Sequence, residues 1–268
     1  MTFRECINLL RDAGIPTPEY DARELFIKFA LYSRGGAILA DDASDSKALL
    51  SAVERRCARE PLQYIIGEVG FYRELYSVSP DCLIPRSDTE ILVDYAVRNI
   101  PEGESLADLC CGSGCIGISV LKNTRSTTCH SFDVSEGAIA LTLENAERNG
   151  VSERITVTKK DLINEEIDGE YFAVLSNPPY IPTEVYAGLE KEIFHEPKIA
   201  FVGGDDGLVF YKRLIPVSLK RLKEGGFIAF EIGYDQADAL SRLAVEYNLR
   251  CEIIKDYSGN DRVVILRK

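Results

Sequence analysis

Several features are scarce in this chain of 268 residues, and each scarcity excludes a class of protein. No apolar run approaches the roughly 20 residues that a membrane-spanning helix requires. The N-terminal segment MTFRECINLLRDAG carries charged residues and lacks the apolar core and small-residue cleavage site of a secretory signal peptide. The sequence therefore predicts a cytoplasmic protein that does not cross a membrane.

Metal ligands in a recognisable spacing are also missing. The eight cysteines form no CxxC pair, and only two histidines are present to assist them. We therefore expect buried, reduced thiols and no metal site.

Basic residues are in deficit as well. The 43 aspartates and glutamates outnumber the 31 lysines and arginines, which gives a formal net charge of -12. Proteins that bind duplex DNA gain affinity by neutralising phosphates with basic side chains, so this balance disfavours duplex DNA as a partner. With 46% hydrophobic and 28% charged residues, the composition is otherwise that of an ordinary globular protein.

The N-terminal part of the sequence has helical periodicity. Apolar residues recur at helical spacing from Phe3 to Leu10, and Gly14 followed by Pro16 is a stop signal. Similar helical spacing of apolar residues recurs further along this N-terminal part. We predict a small helical domain over residues 1–62, with a role in substrate recognition.

Beyond this domain the pattern changes. Aromatic and β-branched residues interrupted by glycines predict a β-hairpin linker over residues 63–80. The catalytic domain is then expected over residues 81–268. Ser87 and Glu90 stand three residues apart, which predicts a capping box at the start of its first helix.

Short apolar strands and helices alternate through this last region, as is typical of βαβ architecture with a mostly parallel sheet. Helices are predicted after Gly114 and over 135–149 and 208–222. The predicted strands are 105–110, 127–132, 155–158, 171–176, 227–232, 250–255 and 262–267. Only a short segment joins the last two strands, too few residues for a parallel crossover, so we expect that pair to be antiparallel.

Ligands of open α/β sheets bind at the carboxyl ends of the strands, where the strand order reverses. The segment that follows the first strand contains Gly112 and Gly114, which allow the backbone to approach a ligand closely. With Gly117 these glycines also match the dinucleotide fingerprint GxGxxG, so a nucleoside is indicated more firmly than its identity. The candidate cofactor-binding residues of this segment are Asp108, Cys110, Cys111, Gly112, Ser113 and Gly114.

Three further residues stand at the next strand ends. Asp133 ends the second strand, where a carboxylate can accept hydrogen bonds from ribose hydroxyls of either NAD or S-adenosylmethionine. Its alternative role is that of a helix N-terminal charge beside Ser135. Asp161 and Leu162 follow the third strand, and we expect them at the adenine amino group and ring.

The tetrapeptide Asn177-Pro178-Pro179-Tyr180 follows the fourth strand. Each proline keeps the preceding residue out of helical geometry, which leaves a stiff arc of carbonyl groups. The Asn177 side-chain carbonyl and the Pro178 backbone carbonyl can accept both hydrogens of one NH2 group, while Tyr180 lies against its plane. We predict Asn177, Pro178 and Tyr180 as catalytic and all four residues as substrate-binding.

Asn-Pro-Pro-Tyr after the fourth strand is similar to the motif of class I amino-methyltransferases, and the chain as a whole resembles the HemK/PrmC family. The resemblance covers residues 60–268 in many pieces. The pieces are PLQYIIG at 61–67, LIPRSDTE at 83–90, NPPY at 177–180, Glu196-Pro197, Gly203-Gly204-x-x-Gly207-Leu208, Glu231-Ile232-Gly233 and Asp256-x-x-Gly259-x-x-Arg262.

That family methylates the glutamine of the Gly-Gly-Gln loop in peptide-chain release factors. The resemblance implies a Rossmann-like class I fold with a mostly parallel seven-stranded sheet, and a helical N-terminal domain. It also implies S-adenosyl-L-methionine as cofactor, with S-adenosyl-L-homocysteine as product. In this sequence the implied cofactor residues are 110–114, Asp133, Leu162 and Asn177.

The sequence departs from the family at Cys110-Cys111, where Gly-Thr or a similar small pair is usual. Because cysteine has a β-carbon, a positive φ at Cys110 would be strained. Leu162 stands where the family often has an aromatic residue. Glu231 and Arg86 lie within the shared motifs, but ion pairing and capping explain them equally well, so we leave them outside the predicted catalytic set.

Three alternatives remain open. A ribosomal-protein glutamine methyltransferase would carry similar motifs. A nucleic-acid N6-adenine methyltransferase would present the same two hydrogens to the same acceptors, although no basic target-recognition region is visible. The third is a non-catalytic module that binds S-adenosylmethionine or NAD; the GxGxxG match supports NAD, but a dehydrogenase would give the tetrapeptide no role.

Overall fold

A computed structural model describes residues 1–30 and 32–268 of the chain. They divide into two compact units. Unit 1 contains Met1–Glu68 and Glu190–His195, and unit 2 contains Val69–Leu189 and Glu196–Lys268. Across the described residues, no helix is both long and apolar enough to cross a membrane.

Unit 1 is helical, as the sequence predicts. A capping box starts its first helix: Thr2 Oγ1 accepts the Glu5 N–H, and the Glu5 carboxylate accepts the Thr2 N–H. Apolar residues at helical spacing along these helices pack into one core. The helices are α1 (Phe3–Asp12), α2 (Pro18–Phe29), α3 (Lys47–Cys57) and α4 (Leu62–Ile66).

A buried ion pair crosses unit 1. Arg56 Nε donates to Asp21 at 2.7 Å, and both side chains are almost fully buried. Arg56 also pairs with Glu192 at 3.2 Å, and Arg59 pairs with the other oxygen of Glu192 at 2.8 Å. A charge taken out of water is tolerated only where such partners surround it.

The hairpin predicted from residue 63 starts later than expected, and the prediction is wrong for residues 63–66. Those residues belong to helix α4, which begins after Pro61 and which Gly67 ends with a φ of 84°. Leu62 and Ile65 are buried three residues apart, as on one face of a helix. The hairpin then consists of β1 (Glu68–Phe71) and β2 (Glu74–Ser77).

Unit 2 contains the predicted sheet. Its described strands follow the order β5-β4-β3-β6-β7-β9-β8, and all neighbours are parallel except for β9, which is antiparallel to both β7 and β8. The strands are β3 (Ser105–Leu109), β4 (Thr128–Asp133), β5 (Ile155–Lys159), β6 (Tyr171–Ser176), β7 (Leu222–Glu231), β8 (Arg250–Lys255) and β9 (Asp261–Arg267). The mostly parallel seven-stranded fold and the antiparallel final pair are therefore confirmed.

Helices cover the sheet on two sides. Alternate strand residues face separate cores: Leu106 and Ala173 belong to one cluster, and Ala107 and Val174 belong to the other. The helices are α5 (Glu90–Asn99), α6 (Cys115–Asn123), α7 (Glu136–Arg148), α8 (Thr183–Tyr186), α9 (Val209–Arg221) and α10 (Ala237–Glu246). The sequence prediction omitted α10, although Leu240, Leu243 and Ala244 within it are buried at helical spacing.

The capping box predicted at Ser87 is not formed. Residues Ser87–Thr89 make a 3-10 turn, and α5 begins only at Glu90. The Glu90 carboxylate accepts the backbone N–H of Tyr72 at 2.7 Å instead. This turn buries Thr89.

Candidate active site

A cleft of about 1080 Å³, which includes the space at its open mouth, lies at the carboxyl ends of β3, β4 and β6 in unit 2. The strand order reverses between β3 and β6, so this is where a ligand is expected to bind. The predicted residues that line it are Cys110, Cys111, Gly112, Ser113, Asp133, Asp161, Leu162, Asn177 and Pro179. Tyr180 lines a smaller adjoining cavity together with Asn177 and Arg86. Asp108, Gly114 and Pro178 line neither of these cavities.

The loop after β3 turns sharply. Cys110, Gly112 and Gly114 have φ values of 57°, 54° and 78°, all in the left-handed region. Glycine adopts this conformation freely, whereas cysteine does so at a cost on the order of 1–2 kcal/mol. The strain anticipated at Cys110 is thus present in the backbone.

Helix α7 holds this loop from behind. Thr142 Oγ1 donates to the Gly112 carbonyl at 2.9 Å, and Asn145 Nδ2 donates to the Ser113 carbonyl at 3.0 Å. Asn145 also exchanges two hydrogen bonds with the backbone of Ser77. The sequence prediction missed both side chains of α7. Thr142 and Asn145 could have been recognised in the sequence as polar residues on the otherwise apolar, buried face of an amphipathic helix.

Asp108 supports the loop rather than facing the cleft. Its Oδ2 accepts the Gly117 N–H at 3.0 Å at the start of α6. Complete burial raises the pKa of Asp108 to about 7, because the charged form loses its hydration. Gly114 is also structural, since a β-carbon there would lie 2.7 Å from Thr142 Cγ2.

Asp133 is anchored by two backbone donors. Oδ2 accepts the Gly112 N–H at 2.9 Å, and Oδ1 accepts the Ser135 N–H at 2.9 Å. Burial raises the pKa of Asp133, while these hydrogen bonds oppose that rise. Each carboxylate oxygen keeps acceptor capacity toward the cleft. The role at a helix start and a role in ligand binding are therefore compatible.

Asp161 and Leu162 lie at the tip of the neighbouring strand. Asp161 Oδ2 accepts from Asn164 Nδ2 at 2.8 Å and Oδ1 accepts the Ile163 N–H at 3.0 Å, which lowers the pKa of Asp161. Leu162 is 4% exposed. Together they present a fixed carboxylate and an apolar surface to the cleft.

The tetrapeptide arc lies close to two glycines. Ser176 Oγ, at the end of β6, donates to the Leu109 carbonyl at 2.6 Å and so ties the arc to β3. A β-carbon at Gly203 would lie 2.5 Å from the Pro179 carbonyl oxygen, and one at Gly207 would overlap the Tyr180 carbonyl oxygen. Only glycine permits this approach of two backbone segments.

Thr89, which the sequence prediction missed, and Glu231, which it left outside the catalytic set, complete the site. Asn177 Nδ2 donates to Thr89 Oγ1 at 3.1 Å, and Thr89 Oγ1 donates to Glu231 Oε2 at 2.5 Å. Tyr180 OH donates to Glu231 Oε1 at 3.2 Å. Burial raises the pKa of Glu231 to about 7. In the sequence, ion pairing or capping explained Glu231 equally well, and only the fold brings it to Thr89 and Tyr180.

Arg86 is held beside the cleft by an ion pair with Glu196, whose other oxygen accepts the Ile84 N–H at 2.9 Å. Glu196 is 4% exposed, whereas the Arg86 side chain is 40% exposed. The ion pairing expected for Arg86 is therefore present, and the guanidinium remains accessible at the edge of the site.

Both parts of the chain match known protein families. Residues 2–67 match the PrmC N-terminal domain family, and residues 87–214 match the Methyltransferase small domain family. The ribosomal protein L11 methylase of Lactobacillus delbrueckii subsp. bulgaricus has a similar fold, with a TM-score of 0.51 and 20% identity over 71% of this chain and 83% of that one.

Similarity in sequence extends over almost the whole chain. A release factor glutamine methyltransferase from Caulobacter vibrioides is 39% identical over 96% of this chain and 91% of its own length. One from Fusobacterium nucleatum is 36% identical over 99% of this chain and 78% of its own length. These matches confirm the resemblance drawn from the motifs. The chain belongs to the release factor glutamine methyltransferase family, the HemK/PrmC family.

Proposed function

We propose that the chain transfers a methyl group from S-adenosylmethionine to the side-chain amide nitrogen of the glutamine in the Gly-Gly-Gln loop of peptide-chain release factors. One observation carries the proposal. In the described part of the chain, neither Asn177 Oδ1 nor the Pro178 carbonyl accepts a hydrogen bond, although the Asn177 amide group donates one to Thr89. Two acceptors on a rigid arc suit the two hydrogens of a primary amide.

An amide nitrogen is a feeble nucleophile, because its lone pair is delocalised into the carbonyl group. Acceptors on both N–H groups orient that nitrogen and stabilise the positive charge that develops on it. Holding reacting groups in the productive geometry supplies about 7–11 kcal/mol toward the barrier. Asn177 and Pro178 therefore take the orienting roles, and Tyr180 supports the plane of the amide from the adjoining cavity.

The remaining cleft residues suit a nucleoside cofactor. Asp133 has acceptor capacity for ribose hydroxyls, Asp161 for an adenine amino group, and Leu162 offers an aliphatic surface to the ring. The loop from Cys110 to Ser113 closes the other side of the cleft. When bound, S-adenosylmethionine would supply a methyl group on a positively charged sulfur; the S–C bond breaks as the N–C bond forms, the nitrogen loses one proton to solvent, and S-adenosylhomocysteine is the product.

The partner is a release factor, and we assign its recognition in part to the helical domain at residues 1–62. The similarity to release factor glutamine methyltransferases and the match to the PrmC N-terminal domain support this choice over a ribosomal protein. The net charge of -12 disfavours duplex DNA, whose affinity for proteins depends on basic residues.

One labelling experiment tests the substrate class. Methyl-labelled S-adenosylmethionine is offered in parallel with a release factor, its Gly-Gly-Ala variant, a ribosomal protein and duplex DNA. We expect label on the unaltered release factor alone. Label on the Gly-Gly-Ala variant, on the ribosomal protein or on DNA would overturn the proposed acceptor.

Asn177→Ala tests the orienting role. Loss of one preorganised polar group should lower kcat by about 10²-fold. The dissociation constant for S-adenosylmethionine should stay within about threefold, or less than 1 kcal/mol, because the cofactor keeps its other contacts. Single-turnover methylation and calorimetric binding measure the two quantities, and a wild-type single-turnover rate would contradict the assignment.

A further inference from the structure

Three elements that are remote in the sequence meet behind Asn177. Thr89 ends the 3-10 turn before α5, Asn177 follows β6, and Glu231 is the last residue of β7. Ser176 and Phe230 are paired in the parallel register of β6 and β7, so Asn177 and Glu231 follow at adjacent strand ends. Thr89 and Glu231 are each 2% exposed, so solvent does not compete for their hydrogen bonds.

Glu231, Thr89 and Asn177 form a series of hydrogen bonds, and the direction of each bond follows from the one before it. An ionised carboxylate accepts but cannot donate, so the single hydroxyl proton of Thr89 goes to Glu231. The Thr89 oxygen is then an acceptor, and it takes an N–H of the Asn177 amide. The Nδ2 end of Asn177 is thereby fixed toward Thr89, which leaves Oδ1 for the substrate.

A neutral Glu231 would permit the opposite arrangement. Its carboxyl group could donate to Thr89, whose hydroxyl proton could then go to Asn177 Oδ1. The amide would turn and present its NH2 group to the NH2 group of a substrate amide, which places donor against donor. The protonation state of one buried carboxyl group thus determines whether the site offers an acceptor or a donor.

The same carboxyl group also restrains Tyr180, whose hydroxyl donates to Glu231 Oε1 at 3.2 Å. Tyr180 and Asn177 line one cavity, so Glu231 holds two of the side chains that surround the proposed acceptor. From these contacts we infer that Thr89 and Glu231 are positioning residues, which orient the Asn177 amide and Tyr180 for methyl transfer. This inference rests on the proposed function and specifies how its site is organised.

The charged groups around Glu231 act in both directions. Burial is the largest influence and raises its pKa, Thr89, Tyr180 and Arg262 lower it, and Asp88 raises it again. The net effect is a pKa of about 7. Since the ionised form is the productive one, kcat should fall as the pH is lowered through 7.

Arg262 itself is shared among acidic groups, since it pairs with Asp256 at 3.2 Å and with Asp88 at 3.3 Å. On the other side, Tyr211 OH donates to the backbone carbonyl of Glu231 at 2.8 Å. These contacts fix the strand end but leave both carboxyl oxygens to Thr89 and Tyr180. The direction of the hydrogen bonds from Asn177 through Thr89 is therefore set by the protonation state of Glu231.

A matched pair of Thr89 variants tests the positioning role. Thr89→Val keeps the shape of the side chain but removes the hydroxyl, so kcat should fall by about 10²-fold with little change in KM for the release factor. Thr89→Ser keeps the hydroxyl and should restore kcat to within about threefold of wild type. Melting temperature and S-adenosylmethionine affinity are measured for both variants to show that the fold and the cofactor site persist.

The pH profile tests Glu231. Wild-type kcat should show an acidic limb near pH 7, whereas Glu231→Gln should be slow and flat through this range. Asp108→Asn is the control for the other buried carboxyl group with a pKa of about 7, and its profile should keep the limb. A wild-type kcat for Thr89→Val, or an acidic limb that survives in Glu231→Gln, would overturn the inference. Absence of label on the release factor with the wild-type enzyme would instead overturn the proposed function.

Discussion

Gly114→Ala should distort the loop after β3, which we propose binds the cofactor, and Gly150→Ala is its matched control. Both glycines flank a helix with left-handed backbone, at φ values of 78° and 68°. An alanine at either position meets the same conformational strain. The two differ in space: a β-carbon at Gly114 would lie 2.7 Å from Thr142 Cγ2 and 2.9 Å from Ile118 Cδ1, whereas one at Gly150 would meet nothing within 4 Å.

The magnitudes follow from these contacts. Left-handed strain costs an alanine roughly 1–2 kcal/mol, and the stiffer unfolded chain returns about 0.4–1 kcal/mol, so Gly150→Ala should cost about 1 kcal/mol. At Gly114 the Ile118 side chain can move, but Thr142 is β-branched and hydrogen-bonded to the Gly112 carbonyl. Overpacking adds about 1–3 kcal/mol, for a total of roughly 2–4 kcal/mol.

Calorimetry measures both effects. For a chain of this size each kcal/mol lowers the melting temperature by about 2–4 °C, so the two variants should be clearly separated. Gly114→Ala should also weaken S-adenosylmethionine binding by about tenfold or more, because a displaced Thr142 releases the loop. Gly150→Ala should bind normally. Equal melting temperatures and equal affinities for the two variants would refute the claim that Thr142 holds the loop.

Two further outcomes concern buried carboxylates. The unfolded chain loses the Asp108 proton above about pH 4, whereas the folded protein keeps it up to about 7, so stability from this group falls as the pH rises between them. The stability of Asp108→Asn relative to wild type should therefore be greater at about pH 7.5 than at about pH 5.5. A difference in melting temperature between variant and wild type that stays constant with pH would contradict this. In unit 1, Asp21→Ala leaves Arg56 buried with one partner fewer and should cost about 3 kcal/mol. The exposed pair of Glu19 with Arg11 is the control, and Glu19→Ala should cost less than about 1 kcal/mol in the same unfolding measurement.

The parts of the fold that could be predicted are those encoded by neighbouring residues. Helical spacing from Phe3 to Leu10 predicted a helix that the structure contains, and a short final connection predicted antiparallel strands. The errors arose where two local patterns compete. Residues 63–66 carry β-branched and aromatic side chains, but Pro61 and Gly67 bracket them as a helix. Ser87 has the spacing of a cap, yet it lies inside the turn.

The sequence was sufficient to place candidate site residues at strand ends, whereas only the structure showed which side chains hold those residues in position. Asp133 and Asn177 follow strands directly, so a correct strand prediction is enough to place them near one edge of a sheet. Thr89 and Asn177 are 88 residues apart, and Thr89 and Glu231 are 142 apart. No local pattern relates such positions.

The sequence by itself therefore determined the order of elements, the sheet edge where a ligand is expected to bind, and a stiff tetrapeptide suited to a planar nitrogen. These properties depend on backbone preferences over a few residues. Only the tertiary structure decided which atom of the Asn177 amide is free, that Asp108 lies behind the loop, and that Glu231 is buried beside Thr89. The direction of a hydrogen bond depends on what packing brings to each donor and acceptor, and packing is a property of the folded chain as a whole.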